Sequence, residues 1–350
     1  MEGFIRKSVQ QMTAYVPGEQ PSETGVIKLN TNENPYPPSP VVVKTLSEMG
    51  GEMLKFYPNP ESRNLRKKIS EIHKCEISNV FVGNGSDELL ALCTRAFVEN
   101  NGSIGYYDPS YSLYPVLADI RDVEKKPVGL DKEYQAGPLP DGYDCSLFFL
   151  TNPNAPTGIL SPEDRVRGLC ESISGVMLID EAYVDFAKEH QMNLALEYDN
   201  VLVARSFSKS YSLAGLRVGY AVGSSILVDA LYKVKDSYNV NMISQNLALV
   251  ALSDIDYMYT NVEKIKNTRA RLSKELSDIG YEVYPSEANF LWVRPEGITA
   301  KELFERLRKQ RILIRYFAGE QTGDCVRITI GTDEEIDKLI KAVKEIARKN

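Results

Sequence analysis

Six short apolar runs constrain this 350-residue chain more than any other feature: 80–82, 103–107, 146–150, 176–179, 201–205 and 218–222. Helical patterns such as 86–97 and 162–173 fall between most of them. Apolar strands separated by helices predict an α/β class fold with a mostly parallel central sheet, covered by helices on both faces. In such a sheet, ligand chemistry is expected on the loops at the carboxyl ends of the strands.

The flanks read differently. Residues 1–40 form an arm rich in Pro and Asn. Four prolines between positions 30 and 40 exclude helix interior and central strand there. Two amphipathic helical patterns follow up to position 74. A long helical stretch over 244–279 then changes the rhythm. Beyond it come strands at 282–284, 289–293, 312–315 and 326–330, with helices at 300–309 and 334–348. This predicts an arm over 1–40 that packs with the small domain or a partner subunit, a large domain over 41–243, and a small α+β domain over 244–350.

The net charge of −7 argues against nucleic acid or an anionic membrane as the main partner. No apolar run is long enough to span a bilayer, and the N-terminus lacks a signal-peptide core. Cys75, Cys93, Cys145, Cys170 and Cys325 are odd in number and scattered, which suggests free thiols in a reducing cytoplasm. His73 and His190 sit in polar surroundings and read as solvated, so no metal site is expected.

Four motifs follow strands. The first is Gly83-Asn84-Gly85-Ser86-Asp87-Glu88. Its glycines let N–H groups turn inward and Ser86 can cap the next helix, which suits a phosphate. Taken alone it is equally a tight turn, and it lacks the third glycine of a dinucleotide fingerprint. The second is Asp180-Glu181-Ala182-Tyr183, placed by an apolar strand at a buried sheet end. A buried carboxylate needs a partner, either an arginine or lysine or a protonated pyridine nitrogen, and Tyr183 could reach a phenolic oxygen on the same ring. The third, Asn152-Pro153-Asn154-Ala155-Pro156-Thr157-Gly158, is a stiff loop in which an asparagine can donate to a ligand oxygen. The fourth is Ser208-Lys209, with Arg217 eight positions on. A half-buried lysine beside another cation is an activated amine, and arginine offers a planar fork to phosphate. Together these are the parts that hold pyridoxal 5′-phosphate as an imine.

With these motifs in place, the chain resembles the fold-type I pyridoxal-phosphate enzymes of aminotransferase class I/II, and more narrowly the histidinol-phosphate aminotransferases. The likeness runs nearly end to end. It is carried by Tyr15-Val16-Pro17-Gly18, Leu29-Asn30-Thr31-Asn32-Glu33-Asn34-Pro35, Tyr57-Pro58, Gly85-Ser86-Asp87-Glu88 and Pro109-Ser110-Tyr111. It continues through Asp180-Glu181-Ala182-Tyr183, Ser208-Lys209, Ala214-Gly215-Leu216-Arg217 and Val326-Arg327-Ile328-Thr329-Ile330-Gly331. The resemblance implies that Lys209 attaches the cofactor and moves the proton between Cα and C4′. Asp180 pairs with the ring nitrogen and Tyr183 with the ring phenolate. Ser86, Ser208, Arg217 and the N–H of Asp87 surround the phosphate, and Tyr111 stacks on the ring. Tyr57 reaches the cofactor phosphate of a neighbouring subunit, which implies a homodimer. Arg315 and Arg327 bind the anionic end of the substrate, while Tyr15 and Asn32 help close the site. One position departs from the family: Ala155 stands where the relatives carry Asn before Pro-Thr-Gly. Either Asn154 supplies that amide or Tyr183 acts without it.

The expected reaction is transamination between L-glutamate and imidazole-acetol phosphate, yielding L-histidinol phosphate and 2-oxoglutarate in histidine biosynthesis. The rivals on the same scaffold are an aminotransferase for aromatic or other amino acids and a threonine-phosphate decarboxylase. A non-catalytic effector domain of a transcription regulator belongs to another class. No basic helix-turn-helix segment supports it.

Overall fold

The computed structural model describes residues 2–348. Its centre is a seven-stranded sheet in the order Val80–Gly83, Gly219–Gly223, Val201–Ser206, Val176–Asp180, Leu147–Thr151, Ser103–Asp108, Glu124–Gly129. Every pairing is parallel except those of Gly219–Gly223, which runs against both neighbours. That exception follows from the connection 207–218, which holds no crossover helix and returns the chain directly beside the strand it left.

Side chains alternate across this sheet with period two. Val80, Val82, Phe148, Leu150, Met177, Ile179, Val201 and Val203 enter one apolar layer. Phe81, Leu147, Phe149, Leu178, Leu202 and Ala204 enter the other. Helices Pro40–Glu48, Arg63–His73, Glu163–Ser172 and Met242–Ala251 cover the first face. Helices Ser86–Phe97, Leu113–Arg121 and Ser225–Val234 cover the second. The six predicted strands are all present. The seventh, Glu124–Gly129, is an unpredicted edge strand. Its charges and Pro127 hide the apolar signal and also discourage pairing with another edge.

The second unit is an antiparallel sheet in the order Arg315–Tyr316, Val326–Thr329, Phe290–Arg294, Glu282–Val283. Helices Ile255–Ser277, Ala300–Lys309 and Asp333–Ala347 pack with it in a separate apolar cluster. The helix predicted over 244–279 is two helices, Met242–Ala251 and Ile255–Ser277. The backbone leaves helical geometry at Asp254, whose carboxylate accepts the Ser39 hydroxyl. Packing changes hands there. Leu247–Leu252 pack with the large-sheet core, and the small cluster takes over from Ile255. The arm is tied to the small unit: Ile27–Lys28 pairs in parallel with Ile312–Leu313, and Leu29 is buried in that unit's core.

The cysteines are all free. His190 is exposed, but His73 is not solvated as expected. It is half-buried with Nε2 2.9 Å from the Tyr220 hydroxyl, and burial drives its pKa down to about 3. Among the described residues there is no group of His, Cys, Asp and Glu able to hold a metal, and no helix long and apolar enough to cross a membrane.

Candidate active site

A cavity of about 390 Å³ opens where the parallel strands of the large sheet end and the small unit begins. Twelve of the fourteen residues singled out from sequence line it: Tyr15, Asn32, Ser86, Asp87, Tyr111, Asp180, Tyr183, Ser208, Lys209, Arg217, Arg315 and Arg327.

Lys209 lies three residues past strand Val201–Ser206. Its loop is pinned from the arm: the Asn34 amide donates to Lys209 O at 2.9 Å and to Ser210 O at 3.1 Å. Nζ donates to Thr31 O at 3.2 Å and lies 5.8 Å from the centre of the Tyr183 ring. Burial, and next the Arg327 guanidinium, pull the ammonium pKa down to about 8. The amine is therefore neutral over a range in which an ordinary lysine is charged.

Asp180 ends strand Val176–Asp180 and is only 3% exposed. Oδ1 accepts the Ala182 N–H at 3.1 Å and Oδ2 accepts the Tyr114 hydroxyl at 3.2 Å. Among the described residues no cation pairs with it, and burial pushes its pKa up to about 6. Three residues on, the Tyr183 hydroxyl accepts from Asn32 Nδ2 at 3.0 Å. The Asn32 amide is fixed in turn, because its Oδ1 accepts the Thr329 hydroxyl at 3.0 Å.

Opposite these groups is an anion cradle. Gly85 turns with φ +84° into helix Ser86–Phe97, which presents its first N–H groups. Arg217, itself left-handed at φ +53°, donates to Ser208 Oγ at 3.4 Å and to Asp87 Oδ2 at 3.1 Å. Asp87 Oδ1 accepts the Tyr111 hydroxyl at 3.1 Å. A methyl group at Gly219 would lie 2.8 Å from Ser86 N and 2.9 Å from Gly85 C, both backbone. Gly219→Ala is therefore expected to displace the cradle. The expected loss is about 1–3 kcal/mol of stability, with weaker retention of pyridoxal phosphate. Thermal unfolding and equilibrium dialysis read these two effects, and no change in either would show that the turn has slack.

The far end is cationic. Arg327 is sandwiched 5.2 Å and 5.3 Å from the rings of Phe290 and Phe317. Its Nη2 donates to Asn30 O at 3.1 Å, while its buried Nε has no partner among the described residues. Arg315 spends its fork on the arm, donating to Val16 O at 2.8 Å and Pro17 O at 3.1 Å. Tyr15, next along the arm, meets Tyr111 edge-on at 5.9 Å.

Two expected residues lie elsewhere. Asn154 does not line the cavity: its Nδ2 donates to Pro109 O at 3.2 Å and Thr157 Oγ1 at 3.0 Å, and Ala155 faces the cleft in its place. The short side chain of Ala155 leaves Tyr183 with Asn32 as its amide partner. Tyr57 is exposed, well outside the cleft, and stacks on Tyr238 at 4.4 Å. Sequence reading missed Tyr114, Thr151 and Asn34. For Tyr114 a signal existed, since in a helix opening at Leu113 it lies one turn past Tyr111.

Pyridoxal phosphate needs an anion cradle, a carboxylate for a cationic ring nitrogen, and a low-pKa amine. The uncompensated buried Asp180, the Arg217 cradle and Lys209 meet all three within one cavity, so the residues present fit the group.

Residues 24–343 match the family described as aminotransferase class I and II. Histidinol-phosphate aminotransferase 1 of Nostoc sp. is 43% identical over 351 residues, covering 99% of both chains. Histidinol-phosphate aminotransferase of Citrifermentans bemidjiense is 40% identical over 343 residues, covering 98% of both. Among solved structures, histidinol-phosphate aminotransferase from Sinorhizobium meliloti in complex with pyridoxal-5′-phosphate superposes with a TM-score of 0.89. It covers 99% of this chain and 98% of its own at 24% identity, a likeness that establishes the fold.

Proposed function

The chain belongs to the class I and II aminotransferases, and from that premise we propose that it interconverts L-glutamate and imidazole-acetol phosphate with 2-oxoglutarate and L-histidinol phosphate, a step of histidine biosynthesis. The full-length likeness to histidinol-phosphate aminotransferases carries this substrate reading. The cofactor is pyridoxal phosphate. When bound, it supplies an electron-withdrawing ring conjugated to the substrate Cα.

The chain's own residues do the rest. Ser86, Ser208, Arg217 and the N–H of Asp87 would hold the cofactor phosphate. Asp180 would hold the proton on the ring nitrogen, and Tyr183, itself held by Asn32, would donate to the ring oxygen. Tyr111 would cover the ring, with Tyr15 against its edge. Lys209 Nζ takes the proton from the substrate Cα, which its lowered pKa favours. Arg327, with a guanidinium N–H unpaired, would bind the glutamate carboxylate and the phosphate of the second substrate in turn, since a planar fork suits both. Arg315 would complete that end and tie it to the arm.

A second copy of the chain is the partner this reading implies. Leu54, Phe56, Tyr57 and Tyr238 are large and exposed, and the Tyr57–Tyr238 stack supports the role of Tyr57 at a neighbouring subunit's cofactor. Scattered free thiols support a cytoplasmic enzyme.

Turnover of histidinol phosphate, phenylalanine and threonine phosphate by one preparation tests the reading. Histidinol phosphate is expected to lead in kcat/KM by about 100-fold or more over each of the other two, the scale on which a site shaped for one substrate rejects its analogues. Equal turnover of phenylalanine would assign the chain to aromatic amino acids, and carbon dioxide release from threonine phosphate would assign it to decarboxylation.

A further inference from the structure

We infer that Tyr114 is a positioning residue for Asp180: its hydroxyl, backed by Thr151, fixes the carboxylate that meets the cofactor ring and keeps it ionised. This rests on the proposed cofactor chemistry of the same site.

Tyr114 is fully buried in helix Leu113–Arg121. Its ring stacks on Phe149 at 4.7 Å and 19° and meets Tyr111 edge-on at 5.7 Å and 85°. The phenol is thus held between the residue expected to cover the cofactor ring and the one expected to hold its nitrogen. The hydroxyl donates to Asp180 Oδ2 at 3.2 Å and shares a short hydrogen bond with Thr151 Oγ1. Thr151 is the register partner of Asp180 on the adjacent strand, so the two strand ends present their side chains at one height. The order that satisfies every group is Thr151 hydroxyl to Tyr114 oxygen, and Tyr114 hydroxyl to Asp180.

Among the described residues Asp180 has two donors, the Ala182 N–H and this phenol. The charges of Asp87 and Glu181 oppose its ionisation. Asp87 comes from helix Ser86–Phe97, and Glu181 and Tyr183 from its own turn. Tyr114 keeps its own proton, because burial and Asp180 push its pKa far above the usual range. A hydrogen bond to the charged form favours that form. The phenol therefore opposes the desolvation that drives the carboxyl toward neutrality.

Tyr114→Phe keeps the ring packing and removes only the donor. Two quantities are read: the Asp180 carboxyl pKa in the apo-protein by carbon-13 NMR, and the dissociation constant of pyridoxal phosphate between pH 5.5 and 9 by equilibrium dialysis. The expected result is a carboxyl pKa about one unit higher, with the acid limb of cofactor binding shifted upward by the same amount. Thr151→Val is expected to shift both in the same direction by less. A carboxyl pKa and acid limb unchanged in both variants overturn the inference. So does a uniform loss of binding at all pH values with the pKa unmoved, which marks a packing role. If wild-type protein binds no pyridoxal phosphate, the cofactor reading fails, and the carboxyl pKa still decides the role of Tyr114.

Discussion

Lys209→Ala is expected to reduce transamination by about 10⁴-fold or more, since the variant lacks both the attaching amine and the group that moves the Cα proton. The specific readout is covalent. Borohydride treatment of wild-type protein with pyridoxal phosphate should leave one adduct on Lys209 that survives denaturation, and the variant should release all of its cofactor. The pH dependence is equally diagnostic. The ammonium pKa is lowered to about 8, so the neutral fraction climbs about tenfold per pH unit up to that point and then levels. Attachment of pyridoxal phosphate to the apo-protein should follow that curve and be flat by about pH 9. An ordinary lysine would keep gaining reactivity past pH 10. A borohydride-stable adduct in the variant, or a profile still rising at pH 10, would remove Lys209 from the centre of the mechanism.

Asp180→Asn should separate stability from function. Burial holds this carboxyl at about 6 against an ordinary 3.8, so ionising it in the folded apo-protein is disfavoured by about 3 kcal/mol. The sign follows from proton counting. Between about pH 4 and pH 6 the folded protein binds more protons at this site than the unfolded chain does. Its contribution to stability therefore falls as pH rises through that window and stays low above it. At pH 7.5 the neutral variant should melt a few degrees above wild type when both lack cofactor. At one fixed concentration, pyridoxal phosphate should raise the wild-type melting temperature more than the variant's, because stabilisation follows the dissociation constant. Turnover should fall by about 10²–10³-fold, the usual scale for losing a preorganised electrostatic partner. A variant that melts below wild type without cofactor and retains it equally well would contradict this role for Asp180.

Much of the site is legible in the sequence because its groups are attached to strands. Asp180 and Lys209 follow apolar runs that can only be sheet interior, and the turn at Gly83–Gly85 follows another. The arm motif likewise places Asn32 and Tyr15 in the cleft. What escapes reading depends on side-chain direction. Asn154 is adjacent to the family's usual asparagine position, yet one step along this loop turns its amide toward Pro109 and Thr157 and leaves Ala155 facing the cavity. His73 lies at the polar end of an amphipathic helix, and it is half-buried against Tyr220, which is 147 residues away. Strand Glu124–Gly129 carries no apolar pattern, because an edge strand has little to bury. The break at Asp254 depends on Ser39, a contact invisible to local periodicity.

The pairing of Ile27–Lys28 with Ile312–Leu313 has a consequence for synthesis. The large sheet and the helices that cover it are complete once the chain has emerged past Leu252, and domains of this size fold as units as they leave the ribosome. The arm emerges first but acquires its strand partner nearly last. Asn34 can bond Lys209 and Ser210 as soon as the large sheet forms, while Asn32 still lacks Thr329. The strand pairing of the arm waits for residues 312–313, and the bond of Asn32 to Thr329 for residues later still, so a nascent chain stalled before that point holds the phosphate end of the site and lacks its substrate end.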